Sequence, residues 1–102
     1  GEIIMYFVTC FQRYEQTRLG VPDIGCARTF GYYNDRDTAI KMVELNNLDI
    51  QERVYAYAVI EFIPEGLYNL AEERIFFKWN EDEQKFDMIE PFEDHFGNYA
   101  FG

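Results

Sequence analysis

The sequence predicts an α+β fold in which a single antiparallel sheet of about five strands carries one main helix on one face, in the order ββαβββ. Aromatic and β-branched residues cluster in short runs that are typical of strands. One stretch has its apolar residues at helical spacing, and turn residues separate the later runs. We expect residues 1–102 to form one domain, with Gly1 set aside as an expression remnant or a trimming point.

The first half of the chain supplies two strands and the helix. Ile3 to Phe11 is a continuous apolar run, which predicts a strand in the interior of the sheet. Ala27 to Tyr33 predicts the second strand. A helix is predicted over about residues 35–46, with Asn34 or Asp35 as its N-cap. Its apolar face is formed by Ala39, Ile40 and Val43.

The third predicted strand, Val54 to Ile63, alternates between two faces. The small alanines on one face favour close packing of the helix over them. The face toward the helix holds Val54, Ala56, Ala58, Ile60 and Phe62, and the opposite face holds Tyr55, Tyr57, Val59, Glu61 and Ile63.

The last two strands are predicted as a hairpin. Pro64-Glu65-Gly66 is a turn, with proline at its first central position and a glycine able to take positive φ. Ile75 to Trp79 and Lys85 to Ile89 then pair around a turn at Asn80 to Gln84, and Pro91 stops the pairing.

One helix cannot cover both faces of this sheet, so the aromatic face opposite the helix needs a second cover. The C-terminal tail, residues 92–102, is one candidate because it is rich in aromatic side chains. A second copy of the chain is the other candidate, and the sequence leaves both open. The partner-binding residues are assigned to this surface as Tyr55, Tyr57, Phe96, Tyr99 and Phe101.

Acidic charge is concentrated in the second part of the chain. The formal net charge is −10, and residues 61–102 hold eleven acidic and three basic side chains, which is eight of the ten net negative charges. Such a field repels nucleic acid and anionic lipid and favours a basic partner. The acidic surface is assigned to Glu81, Asp82, Glu83 and Asp87.

The connection from Gln12 to Gly25 is longer than a hairpin needs, and positive charge gathers in and next to it. Arg13, Arg18 and Arg28 are therefore candidate ligand-binding residues for an anionic small molecule or a partner's acidic loop. The alternative is that these arginines pair with the acidic C-terminal half and cover the sheet edge.

The sequence predicts no catalytic, metal or cofactor site. It contains no serine, and its single histidine, His95, is not spaced to meet Cys10 or Cys26. It has no CxxC pair, no calcium-loop spacing and no glycine-rich phosphate loop. We expect a non-enzymatic protein with no cofactor.

The two cysteines provide evidence on the cellular compartment and on the register of the first two strands. An antiparallel pairing of Val8 with Arg28 would set Cys10 opposite Cys26, which would permit a disulfide. The sequence has neither an apolar stretch long enough to span a membrane nor a signal peptide, so we expect a cytoplasmic protein. Two cysteines in that compartment are usually reduced.

Several segments carry a resemblance, above all Arg28-Thr29-Phe30-Gly31-Tyr32-Tyr33 and Val59-Ile60-Glu61. Together with Asp35-Arg36-Asp37 and Lys78-Trp79, they resemble a group of short acidic bacterial proteins known mainly as uncharacterised sequences. The resemblance covers roughly residues 3–91 and implies no activity, cofactor or catalytic residue. The tail from Phe92 onward lies outside the pattern.

The predicted function is that of a small non-enzymatic interaction or regulatory domain that self-associates through the aromatic face or the tail. One alternative is an acidic decoy that inhibits a nucleic-acid-binding protein by imitating the spacing of phosphates. Another is an anion-binding module that uses the Gln12 to Gly25 connection. The expected partner is a second copy or a basic protein, and neither nucleic acid nor a membrane.

Overall fold

The computed structural model describes residues 4–14, 23–45, 55–67, 69–92 and 97–101. In these residues the chain forms one open antiparallel sheet and one helix, which confirms the predicted α+β class and the order ββαβββ. The elements are β1 (Tyr6–Tyr14), β2 (Asp23–Tyr33), α1 (Arg36–Glu44), β3 (Tyr57–Phe62), β4 (Glu73–Asn80) and β5 (Lys85–Ile89). The strands lie side by side in the order β2-β1-β3-β4-β5.

Strand β1 lies inside the sheet, as its continuous apolar sequence predicts. It pairs with β2 on one side and with β3 on the other, and its middle residues, 8–11, are buried. Because β2 and β3 both run antiparallel to β1, they are parallel to each other, and the chain crosses from one to the other through α1. The helix lies on one face of the sheet and contacts β1, β2, β3 and β5.

The helix begins where the sequence predicts a cap. The Asp35 side chain accepts hydrogen bonds of 2.8 Å from both the hydroxyl and the backbone N–H of Thr38. This N-cap satisfies a backbone donor that the first turn of a helix leaves without a partner. The helix ends at Glu44, and Leu45 is its C-cap.

The cap makes stability depend on pH. The hydrogen bonds from the side chain and backbone of Thr38 hold the pKa of the Asp35 carboxyl below its usual range. The cap's contribution is therefore present above the unfolded pKa of about 3.9 and is lost as the pH falls through the lower folded value. We expect Asp35→Ala to lower the melting temperature at pH 7. The difference in melting temperature between the variant and the wild-type protein should become smaller toward pH 2. Asp37→Ala in the same turn is the control. A melting-temperature difference between Asp35→Ala and wild type that increases in acid would contradict the role of Asp35 as the N-cap.

Two apolar clusters lie on opposite faces of the sheet. The helix-side core is made of Val8, Cys10, Ala39, Val43, Ala58, Ile60, Ile75, Phe77 and Phe86. The tail-side cluster is made of Phe11, Val59, Phe76 and Tyr99, with Ile24, Tyr57, Ile89 and Phe92 packed against it. The alternation predicted for the third strand is thus confirmed within β3, with alanine toward the helix and tyrosine away from it, and Val54 lies outside the described residues.

Tyr55 is the exception, and its predicted position is wrong. It packs against the helix-side core, with its ring perpendicular to that of Phe30 at a centroid distance of 6.0 Å. The physical reason is that β3 begins only at Tyr57, so the alternation of a strand does not extend back to Tyr55.

The pairing of β1 with β2 differs from the predicted register. Val8 lies opposite Gly31, and Cys10 lies opposite Arg28, so Cys26 does not face Cys10. Two irregularities shift the register along this ladder, and Cys26 lies at the second with a φ of 47°. Neither cysteine forms a disulfide; Cys10 is buried and Cys26 is exposed. The pairing that would permit a disulfide is therefore wrong.

The two predicted turns are confirmed. Gly66 has a φ of 135°, and the Asn69 side chain closes the turn by donating to the carbonyl oxygens of Glu65 at 2.7 Å and Pro64 at 3.2 Å. The hairpin of β4 and β5 turns at residues 81–84, where Gln84 takes a positive φ of 55°. Within the described residues, no helix is both long enough and apolar enough to span a membrane.

Candidate interaction site on the tail-side face

A buried carboxylate lies at the centre of the tail-side face. Glu61 on β3 is fully buried, and the strand's alternation directs it away from the helix. One of its oxygens, Oε1, accepts a 2.7 Å hydrogen bond from the backbone N–H of Ala100. The other, Oε2, accepts 3.0 Å bonds from the backbone N–H of Tyr99 and from Nε of Arg74. The charge is thereby both paired and hydrogen-bonded, as burial requires.

Arg74 connects this carboxylate to the C-terminal segment, which we define as residues 97–101. It lies directly opposite Glu61 in the pairing of β3 with β4. Its Nη2 donates to the Gly97 carbonyl at 2.7 Å and to the Asn98 side chain at 3.2 Å. Asn98 also accepts from the backbone N–H of Ala71 and donates to the Asn69 carbonyl, each at 2.8 Å. The segment is thus held by a connected polar network as well as by apolar packing.

Aromatic rings complete the docking. The buried Tyr99 ring lies 4.8 Å from the Phe11 ring and 5.5 Å from the Phe76 ring, centroid to centroid. Phe92 packs edge-on against Phe76 at 5.3 Å and against Tyr57 at 5.5 Å. Of the two covers that the sequence left open, the chain's own tail therefore occupies this face.

The C-terminal segment also forms one wall of a surface groove. The other wall is β2, and the groove has a volume of about 540 Å³. Phe101 stands edge-on against Phe7 at 4.9 Å, and its backbone N–H donates to the Thr29 hydroxyl at 3.3 Å. Tyr32 is 53% exposed and Phe101 is 74% exposed. Two large aromatic rings thus border the groove with most of their surface open to solvent.

The predicted partner-binding residues divide accordingly. Tyr57 and Tyr99 are packed within the tail-side cluster, whereas Tyr55 lies against the helix-side core. Phe101 lines the groove. Phe96 lies outside the described residues. The structure therefore does not gather the four described members of this set on one open surface.

The candidate anion-binding arginines are engaged with aromatic rings. The guanidinium of Arg13 lies over the Phe92 ring at 4.1 Å, and that of Arg28 lies over the Phe30 ring at 4.9 Å. Arg18 lies outside the described residues. The two described arginines stack on different rings, and only Arg28 lines the groove beside β2.

The predicted acidic surface lies on the hairpin of β4 and β5. Glu81 accepts a 2.7 Å hydrogen bond from the indole N–H of Trp79, and Asp87 accepts a 2.8 Å bond from the Asn80 side chain. Lys85 also lies 3.6 Å from the Asp87 carboxylate. Asp82 and Glu83 are exposed at the turn. Part of this acidic surface thus shapes the hairpin itself.

The docking network is the feature that sequence reasoning missed. The alternation of β3 placed Glu61 on the correct face, but Arg74 and Asn98 had no predicted role. One signal in the sequence was available. Glu61 lies on the face of the third strand opposite the helix, between Val59 and the turn, and a charged side chain there needs a partner when that face is covered. The partner could have been found only with the register of β3 against β4.

Within the described ranges, no group of three or more His, Cys, Asp or Glu side chains is arranged to hold a metal ion. Comparison with protein-family models, with curated proteins and with solved structures gave no match.

Proposed function

We propose that the protein is a small non-enzymatic interaction domain that self-associates through the groove between β2 and the C-terminal segment. The observation that supports this most is the pair of exposed rings, Tyr32 and Phe101, at the border of the groove. Contiguous exposed aromatic surface is typical of protein contacts, where aromatic side chains supply much of the binding energy.

A second copy is favoured over a basic partner at this groove because of its charge. None of the described residues that line it is acidic, although the chain carries a net charge of −10. Two copies can therefore meet here without setting acidic lining residues of the described part of the chain against each other, and a two-fold contact would bring the same aromatic rings together from both sides. We also propose that this takes place in the cytoplasm; a register that sets Cys10 opposite Arg28, and so does not join it to Cys26, is consistent with a reducing compartment.

Molar mass in solution tests the proposal. Light scattering over a concentration series should show the mass rising from 12.2 kDa toward twice that value. Tyr32→Glu should keep the protein monomeric, because it puts a negative charge into the contact. The matched control is Met88→Glu on β5, at the opposite sheet edge, because Met88 is equally exposed at 54%. Wild-type protein that stays at 12.2 kDa up to millimolar concentration would contradict self-association.

A second candidate function is the acidic decoy, and the hairpin geometry favours it. The hydrogen bonds to Glu81 and Asp87 hold two carboxylates in place in the unbound protein. Less conformational entropy is therefore lost when they bind a basic surface. Asp82→Asn with Glu83→Gln removes two charges without removing those two bonds. The matched control is Glu65→Gln with Glu90→Gln, which removes the same charge elsewhere.

The decoy is tested by competition. Wild-type protein should displace duplex DNA from a polylysine peptide, the hairpin variant should do so several-fold less well, and the control should match wild type. Equal weakening in both variants would mean that only net charge matters, and that result would remove the decoy from consideration.

A further inference from the structure

We propose that Glu61 is a positioning residue for the contact between copies. It does not lie at the contact itself but acts through the C-terminal segment, whose docking builds one wall of the groove. This role rests on the proposed self-association and deepens it by naming a residue that sets its affinity. Docking of the segment and association of the two copies are then coupled, so each strengthens the other.

Glu61 influences the groove only through the groups that it contacts. It is fully buried, and it is not among the described residues that line the groove. Its carboxylate accepts hydrogen bonds from Arg74 and from the backbone N–H groups of Tyr99 and Ala100. The carboxylate therefore fixes the backbone of the two residues that directly precede Phe101.

The backbone of Phe101 is in a conformation that this residue type does not prefer. Its φ is 60°, in the left-handed region that favours glycine, and a larger residue stays there only when neighbouring contacts hold it. Those contacts are the hydrogen bond from its N–H to the Thr29 hydroxyl, the edge-on packing of its ring on Phe7, and the anchoring of Ala100 by Glu61. A weakened anchor therefore lets Phe101 return to an ordinary backbone conformation and leave the wall of the groove.

The loss of Phe101 from the groove would weaken the contact between copies. Phe101 is 74% exposed, and it borders the groove together with Tyr32. Aromatic side chains supply much of the binding energy at protein contacts, and less entropy is lost when a ring is held in its bound position before association. Glu61 thus contributes to the contact by preorganising one of its rings.

The dissociation constant for self-association tests the positioning role in the full chain, and light scattering over a concentration series measures it. Glu61→Gln should raise this constant at least tenfold, because it weakens the docking of the segment. Glu73→Gln is the matched control, since it makes the same chemical change at a half-exposed glutamate of β4, and it should leave the constant unchanged. If Glu61→Gln does not fold, Glu61→Asp replaces it, because aspartate keeps the charge but is too short to reach both N–H groups.

A double-mutant cycle separates positioning from a general effect on stability. Phe101→Ala removes the ring directly and should also raise the dissociation constant at least tenfold. When Phe101 is already alanine, the further change at Glu61 should raise the constant by about twofold or less, because the ring through which Glu61 acts is gone. A further tenfold rise in the double variant would show that Glu61 acts by another route and would overturn the positioning role.

Coupling also requires the converse effect, in which association strengthens the docking of the segment. In the wild-type protein, hydrogen exchange at the Tyr99 and Ala100 amides should therefore become several-fold slower as rising concentration increases the dimer fraction. The Thr38 amide is the control. It bonds to Asp35 in the first turn of α1 and is not among the described lining residues, so its exchange should not depend on concentration.

The outcomes separate the two proposals. Protein that stays monomeric at every concentration would overturn self-association and the positioning role together. Dimers whose dissociation constant is unchanged in the folded Glu61 variant would overturn the positioning role and leave self-association in place. Exchange at Tyr99 and Ala100 that is no slower in the dimer would do the same. A weaker dimer in the Glu61 variant, little further weakening in the double variant and slower exchange in the dimer support the positioning role.

Discussion

Glu61→Gln is expected to lower the free energy of unfolding by about 3 kcal/mol, the size of effect seen when one partner of a buried ion pair is removed. The amide can accept at one atom only, and its NH₂ group would face an N–H donor that the carboxylate now satisfies. Arg74 would also lose its charged partner. Urea unfolding at neutral pH measures the change.

Glu73→Gln is the matched control, since it makes the same chemical change at another glutamate paired with an arginine. Glu73 pairs with Arg36 on α1, and both side chains are about half exposed. Exposed ion pairs contribute about 0–1 kcal/mol, so the control should cost at most about 1 kcal/mol. Equal losses in the two variants would mean that Glu61 acts only through its charge and not through the docking of the C-terminal segment.

Tyr99→Ala is the second large prediction, with an expected loss of about 3 kcal/mol. The substitution removes a buried ring that packs between Phe11 and Phe76, and deletion of a buried aromatic side chain typically costs about 3–5 kcal/mol. The low end applies because the segment can detach, which limits the loss to the free energy of docking. Phe101→Ala in the same turn removes a largely exposed ring and should cost about 1 kcal/mol or less.

The two large effects should not add. Glu61 and Tyr99 hold the same segment. Once Glu61→Gln or Tyr99→Ala has released that segment, the other substitution can remove little further stabilisation. The double variant should be nearly as stable as the less stable single variant. Full additivity would show that the two residues stabilise different parts of the structure.

Much of the fold could be predicted because its signals are local. The Asp35 cap, the glycine turn at Gly66 and the hairpin after Asn80 each depend on residues a few positions apart. The alternation of β3 is likewise a local pattern, and it separated the faces correctly from Tyr57 onward.

The errors arose where pairing between distant residues decides the structure. The register of β1 with β2 depends on two irregularities in the pairing. Such a shift moves Cys26 away from Cys10, but the sequence pattern of neither strand indicates it. The docking of the C-terminal segment depends on Glu61 meeting residues 38 and 39 positions further along the chain. The role of Glu61 in this docking was not predicted because a glutamate in an acidic stretch is usually at the surface.

Amide hydrogen exchange at Tyr99 and Ala100 tests most directly whether Glu61 holds the C-terminal segment. Both amides should be protected in the wild-type protein, because each donates to a buried carboxylate oxygen. In Glu61→Gln their protection should fall, while that of the Val59 and Phe76 amides on β3 and β4 should fall less. Rapid exchange at Tyr99 and Ala100 in the wild-type protein, with protected amides in the sheet, would contradict the docking.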